Sequence, residues 1–127
     1  MPGAERLRDS QALFDLLKRH VDAGNLHAAI CATPAVALES RGYLKGKKAT
    51  SHPGFVEKLA DSSEAERRVV VDGMLTTSRG PGTAFEFALS LVQQLYGDDK
   101  MREVAKPMVM YDGWEDSVAQ ANVAGVP

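Results

Sequence analysis

From Ser10 onward, apolar Leu13, Leu16, Leu17 and Val21 recur at the three- and four-residue spacing that gathers them on one face of a helix. Ser10 is placed to cap the first turn of that helix and Gly24 to stop it. The next apolar run, Leu26 to Ile30, is short enough for a buried strand and leads straight into Cys31. Thr33 and Pro34 then announce a second helix as N-cap and first-turn residue, with Gly42 at its end. Gly46 among lysines marks a turn before a strand expected over Lys48 to Ser51, and Gly54 to Leu59 forms a short helical segment. Val69, Val70 and Val71 face Met74, Leu75 and Thr76 across Asp72-Gly73, which predicts a β-hairpin. Ser78 to Gly82 make a rigid loop, after which Thr83 and Glu86 have the spacing of a capping box. The helix that follows carries Phe85, Ala88, Leu89, Val92 and Leu95 along one face and closes at Gly97. A further helix is expected over Asp98 to Lys106 and a last strand over Met108 to Tyr111. The stretch 112–127 has no clear periodicity and reads as a flexible tail behind a domain spanning 1–111.

Strands alternating with helices predict an α/β domain with a mostly parallel sheet covered on both faces, to which the hairpin adds an antiparallel strand. Doubly wound sheets begin with an apolar strand and a helix, whereas this chain begins in loop-like Met1-Pro2-Gly3. The pattern therefore reads as incomplete at its N-terminus.

Charge and composition narrow the function classes. Fifteen basic and 17 acidic side chains leave a net charge of -2, and the basic residues come in short groups such as Lys45, Lys47 and Lys48, without interleaved aromatics. That is a solvated surface rather than a nucleic-acid platform. No run approaches the length of a membrane span, and Glu5 and Asp9 break the basic-then-apolar layout of a signal peptide. The single cysteine cannot form an intramolecular disulfide. A reducing compartment, the cytoplasm, is the expected location, an organelle being compatible with a targeting peptide on a longer parent chain.

Cys31 sits where a buried strand turns into a helix, among the small residues Ala28-Ala29-Ile30-Cys31-Ala32-Thr33-Pro34. Such a turn presents a side chain at the carboxyl edge of the sheet, where α/β proteins bind ligands, and helix N-terminal amides favour a thiolate. Position alone leaves a buried structural cysteine equally open. His52, 21 positions later at an expected strand end, can reach Cys31 if the two strands are parallel neighbours, and a Cys–His pair allows proton transfer to and from the thiol. Taken alone, it reads more readily as a surface or loop histidine. His20 and His27 fall at the wrong ends of their elements to join it, and the histidines and cysteine lack metal-ligand spacing.

The segment around Cys31, together with Thr50-Ser51-His52-Pro53 and the run from Leu75 to Ala88 (LTTSRGPGTAFEFA), resembles the ThiJ/PfpI superfamily, in its parkinsonism-associated protein deglycase branch. The order and spacing of all three agree, and the likeness extends from Met1 to about Tyr111. The resemblance implies a flavodoxin-like three-layer sandwich, a homodimer, and a nucleophilic Cys31. The Ala32 N–H would serve as an oxyanion donor, His52 as the active-site histidine, and Gly80 and Pro81 as the loop beside the pocket; for Pro81 a rigid turn before a helix explains the residue equally well. It further implies cofactor-free conversion of methylglyoxal to lactate or repair of glycated groups. The alternatives are a non-catalytic thiol redox sensor or stress-protective chaperone, and an inactive truncated isoform. Small reactive aldehydes or glycated groups are the expected partners, with no nucleic acid, membrane, metal or cofactor. The glutamate that hydrogen-bonds the cysteine in this family has no counterpart here, since neither Glu5 nor Glu39 matches it, and the family's Gly-Gly pair would fall before Met1. On this reading roughly the first third of the domain is absent, and the isolated chain is expected to be unstable or inactive.

Overall fold

Residues 2–123 are described in the computed structural model, and three short strands lie at their centre. These are β1 (His27–Ile30), β2 (Val69–Asp72) and β3 (Leu75–Ser78), in the order β1-β3-β2. β1 runs parallel to β3, with His27 opposite Leu75 and Ile30 opposite Ser78, and β2 pairs antiparallel with β3. The hairpin closes with Asp72 opposite Leu75, so the turn residues are Gly73 and Met74, one position later than the sequence suggests. Gly73 supplies the positive φ, +62°, that this tight turn requires. Asp72 instead ends β2, and its carboxylate accepts the Lys48 N–H at 2.8 Å.

Register dictates which element covers which face. His27, Ala29, Leu75 and Thr77 share one face. There Ala29 and Leu75 join Phe14 of α2 (Gln11–Asp22), Ala35, Ala37 and Leu38 of the π-helical segment Pro34–Glu39, and Leu44 and Leu59 of the connecting segments in the larger core cluster. Ser10 caps α2 by accepting the Leu13 N–H, as expected. The other face carries α3 (Ala84–Tyr96) with α4 (Asp98–Ala105) and α5 (Trp114–Ala119) packed against it through Leu89, Met101, Ala105 and Val118. The result is the flavodoxin-like three-layer α/β arrangement.

Several expected elements differ for identifiable reasons. The start is not a loop: Gly3–Arg8 forms a helix, α1, entered from a helical Pro2 and packed through Ala4 on Ala32 and Val36. Lys48 to Ser51 are not a strand. Their backbone donors go to side chains, Lys48 to Asp72 and Thr50 to Thr77 Oγ1 at 3.0 Å, instead of to a neighbouring ladder. Met108 to Tyr111 are not a strand either, because Pro107 lies in a 3₁₀ turn (Lys106–Met108) that ends with Val109 at φ +53°. Thr33 is itself helical and caps nothing with its side chain. Nor does the Thr83–Glu86 capping box form. Thr83 Oγ1 is engaged by the N–H groups of Arg79 and Gly80, both at 3.1 Å, and Glu86 by Arg68. On α3, Leu89 is buried as expected, while Phe85 and Leu95 stay 63% and 61% exposed. The flexible tail expected over 112–127 is replaced as far as residue 123 by α5 and by a bridge of Asn122 to Val71 along the outer edge of β2; residues 124–127 lie outside those described.

Glu86 shows how the second layer is tied down. Its carboxylate, 2% exposed, accepts from the Arg68 guanidinium and from the Tyr111 hydroxyl at 3.0 Å. The same guanidinium donates to the Gly82 carbonyl, and its hydrogen bond to Glu86 holds its pKa above the ordinary value. Replacing Glu86 by Gln keeps the shape but removes the charge that makes these bonds strong, and is expected to lower stability by about 1–3 kcal/mol. Urea denaturation measures this, and an unchanged midpoint would show that the trio contributes nothing.

Candidate active site

β1 delivers its last residues to the carboxyl edge of the sheet, and there the chain must turn sharply into the π-helical segment. Cys31 makes that turn at φ +67°, the left-handed region that an L-residue with a Cβ enters at about 1–2 kcal/mol. Two hydrogen bonds hold it there. Its N–H donates to the Ser78 carbonyl at 3.1 Å, continuing the β1–β3 ladder by one residue, and its carbonyl accepts the His52 N–H at 2.7 Å.

The Cys31 side chain is partly exposed and lines a cavity of about 260 Å³ with Ala4, Ala32, Thr33, His52 and Phe55. Three residues singled out from the sequence, Cys31, Ala32 and His52, therefore share one cavity. Gly80 and Pro81 line an adjoining cavity of about 240 Å³ that shares His52. Gly80 is close to the imidazole, for a Cβ built on it would stand 3.7 Å from His52 Cδ2. A larger cavity of about 320 Å³, lined by Glu5, Arg8, Glu39, Ser40 and Lys58 among others, meets the thiol pocket at Phe55 but includes neither Cys31 nor His52.

The His52 ring is oriented from below. Its Nδ1 accepts the Gly54 N–H at 3.1 Å, so a neutral imidazole carries its proton on Nε2. In this tautomer His52 is a hydrogen-bond donor. To accept a proton at Nε2 it must first surrender the Gly54 bond. Phe55 stands edge-on to the ring, with centroids 6.2 Å apart. Phe55 and Ala4 were not legible as pocket residues, Ala4 because α1 was not foreseen and Phe55 because a short 3₁₀ segment (Pro53–Lys58) carries little periodicity.

The other histidines stay away from the thiol. His20 Nε2 lies 2.6 Å from the Leu26 carbonyl, and His27 starts β1 at its opposite end, with burial lowering its pKa. Among the described residues no group of three histidine, cysteine or acidic side chains could hold a metal ion, and no helix is long and apolar enough to cross a membrane.

Comparison with known proteins bears on this pocket. The model of the DJ-1/PfpI family matches residues 1–94. The chain is 48% identical over 104 residues to Protein DJ-1 homolog B of Arabidopsis thaliana, covering 82% of this chain and 24% of that protein. It is 36% identical over 111 residues to Glutathione-independent glyoxalase DJR-1.2 of Caenorhabditis elegans, covering 86% of this chain and 59% of that protein. The solved structure of oxidized Toxoplasma gondii DJ-1 superposes with a TM-score of 0.82 at 45% identity, covering 86% of this chain and 59% of that one. The chain thus spans from about a quarter to three fifths of the length of these relatives.

The left-handed turn at Cys31 has a consequence for stability. Glycine adopts this conformation without strain, so Cys31→Gly is expected to gain up to about 1 kcal/mol, and β-branched Cys31→Val to lose about 1–2 kcal/mol. Thermal unfolding of the two variants beside the native chain measures the order. A less stable glycine variant would show that the backbone at Cys31 is not strained.

Proposed function

We propose, for a chain that belongs to the DJ-1/PfpI family, that it takes part in thiol-based detoxification of small α-oxoaldehydes such as methylglyoxal, without a cofactor. The observation that carries this reading is Cys31 held at φ +67° over a cavity it shares with His52. The name of the nematode relative, a glutathione-independent glyoxalase, points the same way.

The chemistry follows from the groups present. The Cys31 thiolate adds to the aldehyde carbon, forming a C–S bond and an alkoxide. The Ala32 N–H, at the head of a helical turn where amides lack intrahelical acceptors, and the His52 Nε2–H are the donors available to that oxygen. Transfer of the former aldehyde hydrogen, as a proton, to the neighbouring carbon converts the ketone to an alcohol and the hemithioacetal to a thioester. Water then cleaves the thioester, releasing lactate and the thiol. The aldehyde carbon is oxidised and its neighbour reduced, so no external redox partner enters. The hydrogen bond from Gly54 suits His52 to steady the oxyanion and makes proton abstraction the harder role. Glycated groups are substrates of the same chemical type, and the reading includes a homodimer working in the cytoplasm.

A second reading, a thiol redox sensor or stress-protective chaperone, draws on the partial exposure of Cys31 and on a relative solved in an oxidized form. It needs oxidation of the sulfur but no turnover. Lactate formation from methylglyoxal by the purified chain separates the two. The enzymatic reading expects turnover that Cys31→Ala abolishes and that His52→Ala reduces by about 10²–10³-fold. Turnover that survives Cys31→Ala, or none at all, overturns it, and the latter favours the redox role.

A further inference from the structure

One charged side chain beside the site has no part in the chemistry at Cys31. β3 ends at Ser78, whose carbonyl accepts the Cys31 N–H, and the next residue, Arg79, opens the loop that passes the His52 ring. The Arg79 backbone is fixed, its N–H donating to Thr83 Oγ1 at 3.1 Å. Its guanidinium has no such hold. Nε is closed to solvent and meets no hydrogen-bond acceptor among the described residues. Nη1 lies 3.9 Å from a carboxylate oxygen of Glu66, too far for a hydrogen bond, and the Glu66 side chain is 96% exposed against 22% for Arg79.

The neighbouring arginines are bonded in the ordinary way. Arg68 donates to the Glu86 carboxylate and the Gly82 carbonyl, and Arg67 donates to the Gln120 carbonyl and pairs with Glu64. Both are more exposed than Arg79. The most buried of the three cations is thus the one without an anion in contact. Such a group is costly, because only charge-assisted hydrogen bonds offset the loss of water around a guanidinium.

Arg79 lines the cavity of about 240 Å³ that the Gly80–Pro81 loop forms with His52. No acidic residue lines it, and Arg79 is the one lining side chain with a permanent charge. We propose that this cavity is a carboxylate subsite, in which Arg79 binds the carboxylate of a small 2-hydroxy acid and the His52 Nε2–H is a second donor. The identity of the acid rests on the reading of Cys31 as a thiol acting on α-oxoaldehydes. Methylglyoxal and the thioester carry no charge on the reacting group; a carboxylate and a proton appear only when water cleaves the C–S bond. An unpaired guanidinium beside the pocket therefore favours the state after cleavage, and His52, common to both cavities, faces the neutral substrate on one side and the anionic product on the other.

Titration of the native chain with sodium lactate, followed calorimetrically, tests the proposal, with lactamide as a probe of the same shape and no charge. Lactate is expected to saturate one site and to bind at least ~10-fold more tightly than lactamide. Arg79→Met, which keeps most of the volume and removes the charge, should weaken lactate by at least ~10-fold and melt no lower than the native chain, since the charge it removes has no partner. A lower melt would assign the guanidinium a structural partner and overturn the proposal. Equal binding of lactate and lactamide to the native chain, or of neither, also overturns it, and that comparison holds even if the variant fails to fold. Inorganic phosphate that displaces lactate with equal affinity would make this a general anion site and contradict the carboxylate assignment. Because binding is read without turnover, a chain that binds lactate but forms none removes the glyoxalase reading alone, and an active chain that does not bind lactate removes the subsite alone.

Discussion

Two hydrogen bonds on one residue bring together three stretches of this molecule that are well separated in sequence. The Cys31 N–H is bound to the Ser78 carbonyl and the Cys31 carbonyl to the His52 N–H. The first extends the parallel pairing of β1 and β3, and so aligns the thiol with the start of the Arg79–Gly80–Pro81 loop. The second draws the segment after Thr50 alongside, although that segment belongs to no ladder. Both bonds act on a residue in the left-handed region, where a side chain is tolerated only if its surroundings over-determine the backbone. The hydroxyls of the central strand complete the arrangement. Ser78 Oγ meets Thr83 Oγ1 at 2.6 Å, and Thr83 Oγ1 in turn receives the amides of the loop beside His52. A pocket is thus assembled from three stretches of chain without a disulfide or a long strand.

What could be read from the sequence was what local interactions decide. α2 obeys its periodicity and its Ser10 cap, the hairpin its Asp-Gly signal to within one residue, and α3 and α4 break at Gly97, which takes φ +94°. Cys31 was legible because it falls at the end of a strand, whereas His52 reaches it without the strand expected before it, through the bond of its N–H to the Cys31 carbonyl. Lys48 to Ser51 misled because their backbone partners are side chains more than twenty positions away, Asp72 and Thr77. Thr83 and Glu86 have the spacing of a capping box, yet each has a better tertiary partner, and a buried carboxylate facing a guanidinium outweighs a local cap. The order in α5 comes from Val118 and Ala121 meeting surfaces that do not exist until the rest has folded.

The same strand that carries the reactive residue is the one the described chain supports least. β1 is four residues long and flanked by a single partner, whereas the strained turn at its end needs a rigid base. Burial on the larger core side, through Ala29, and the bond to Ser78 provide that base from one face and one edge only. Support for the site and coverage of the sheet are therefore one physical problem. The thiol's geometry depends on how firmly β1 is held.

The central claim is that folding creates a site for a small aldehyde at Cys31, beyond merely leaving a thiol accessible. Iodoacetamide alkylation of this single cysteine, followed in the presence of increasing methylglyoxal, tests it most directly. The account predicts protection that saturates in the folded chain at concentrations that leave the urea-denatured chain unprotected. Equal protection of the two states, or none in either, would mean that Cys31 behaves as an ordinary thiol and that the cavity around it binds no such ligand.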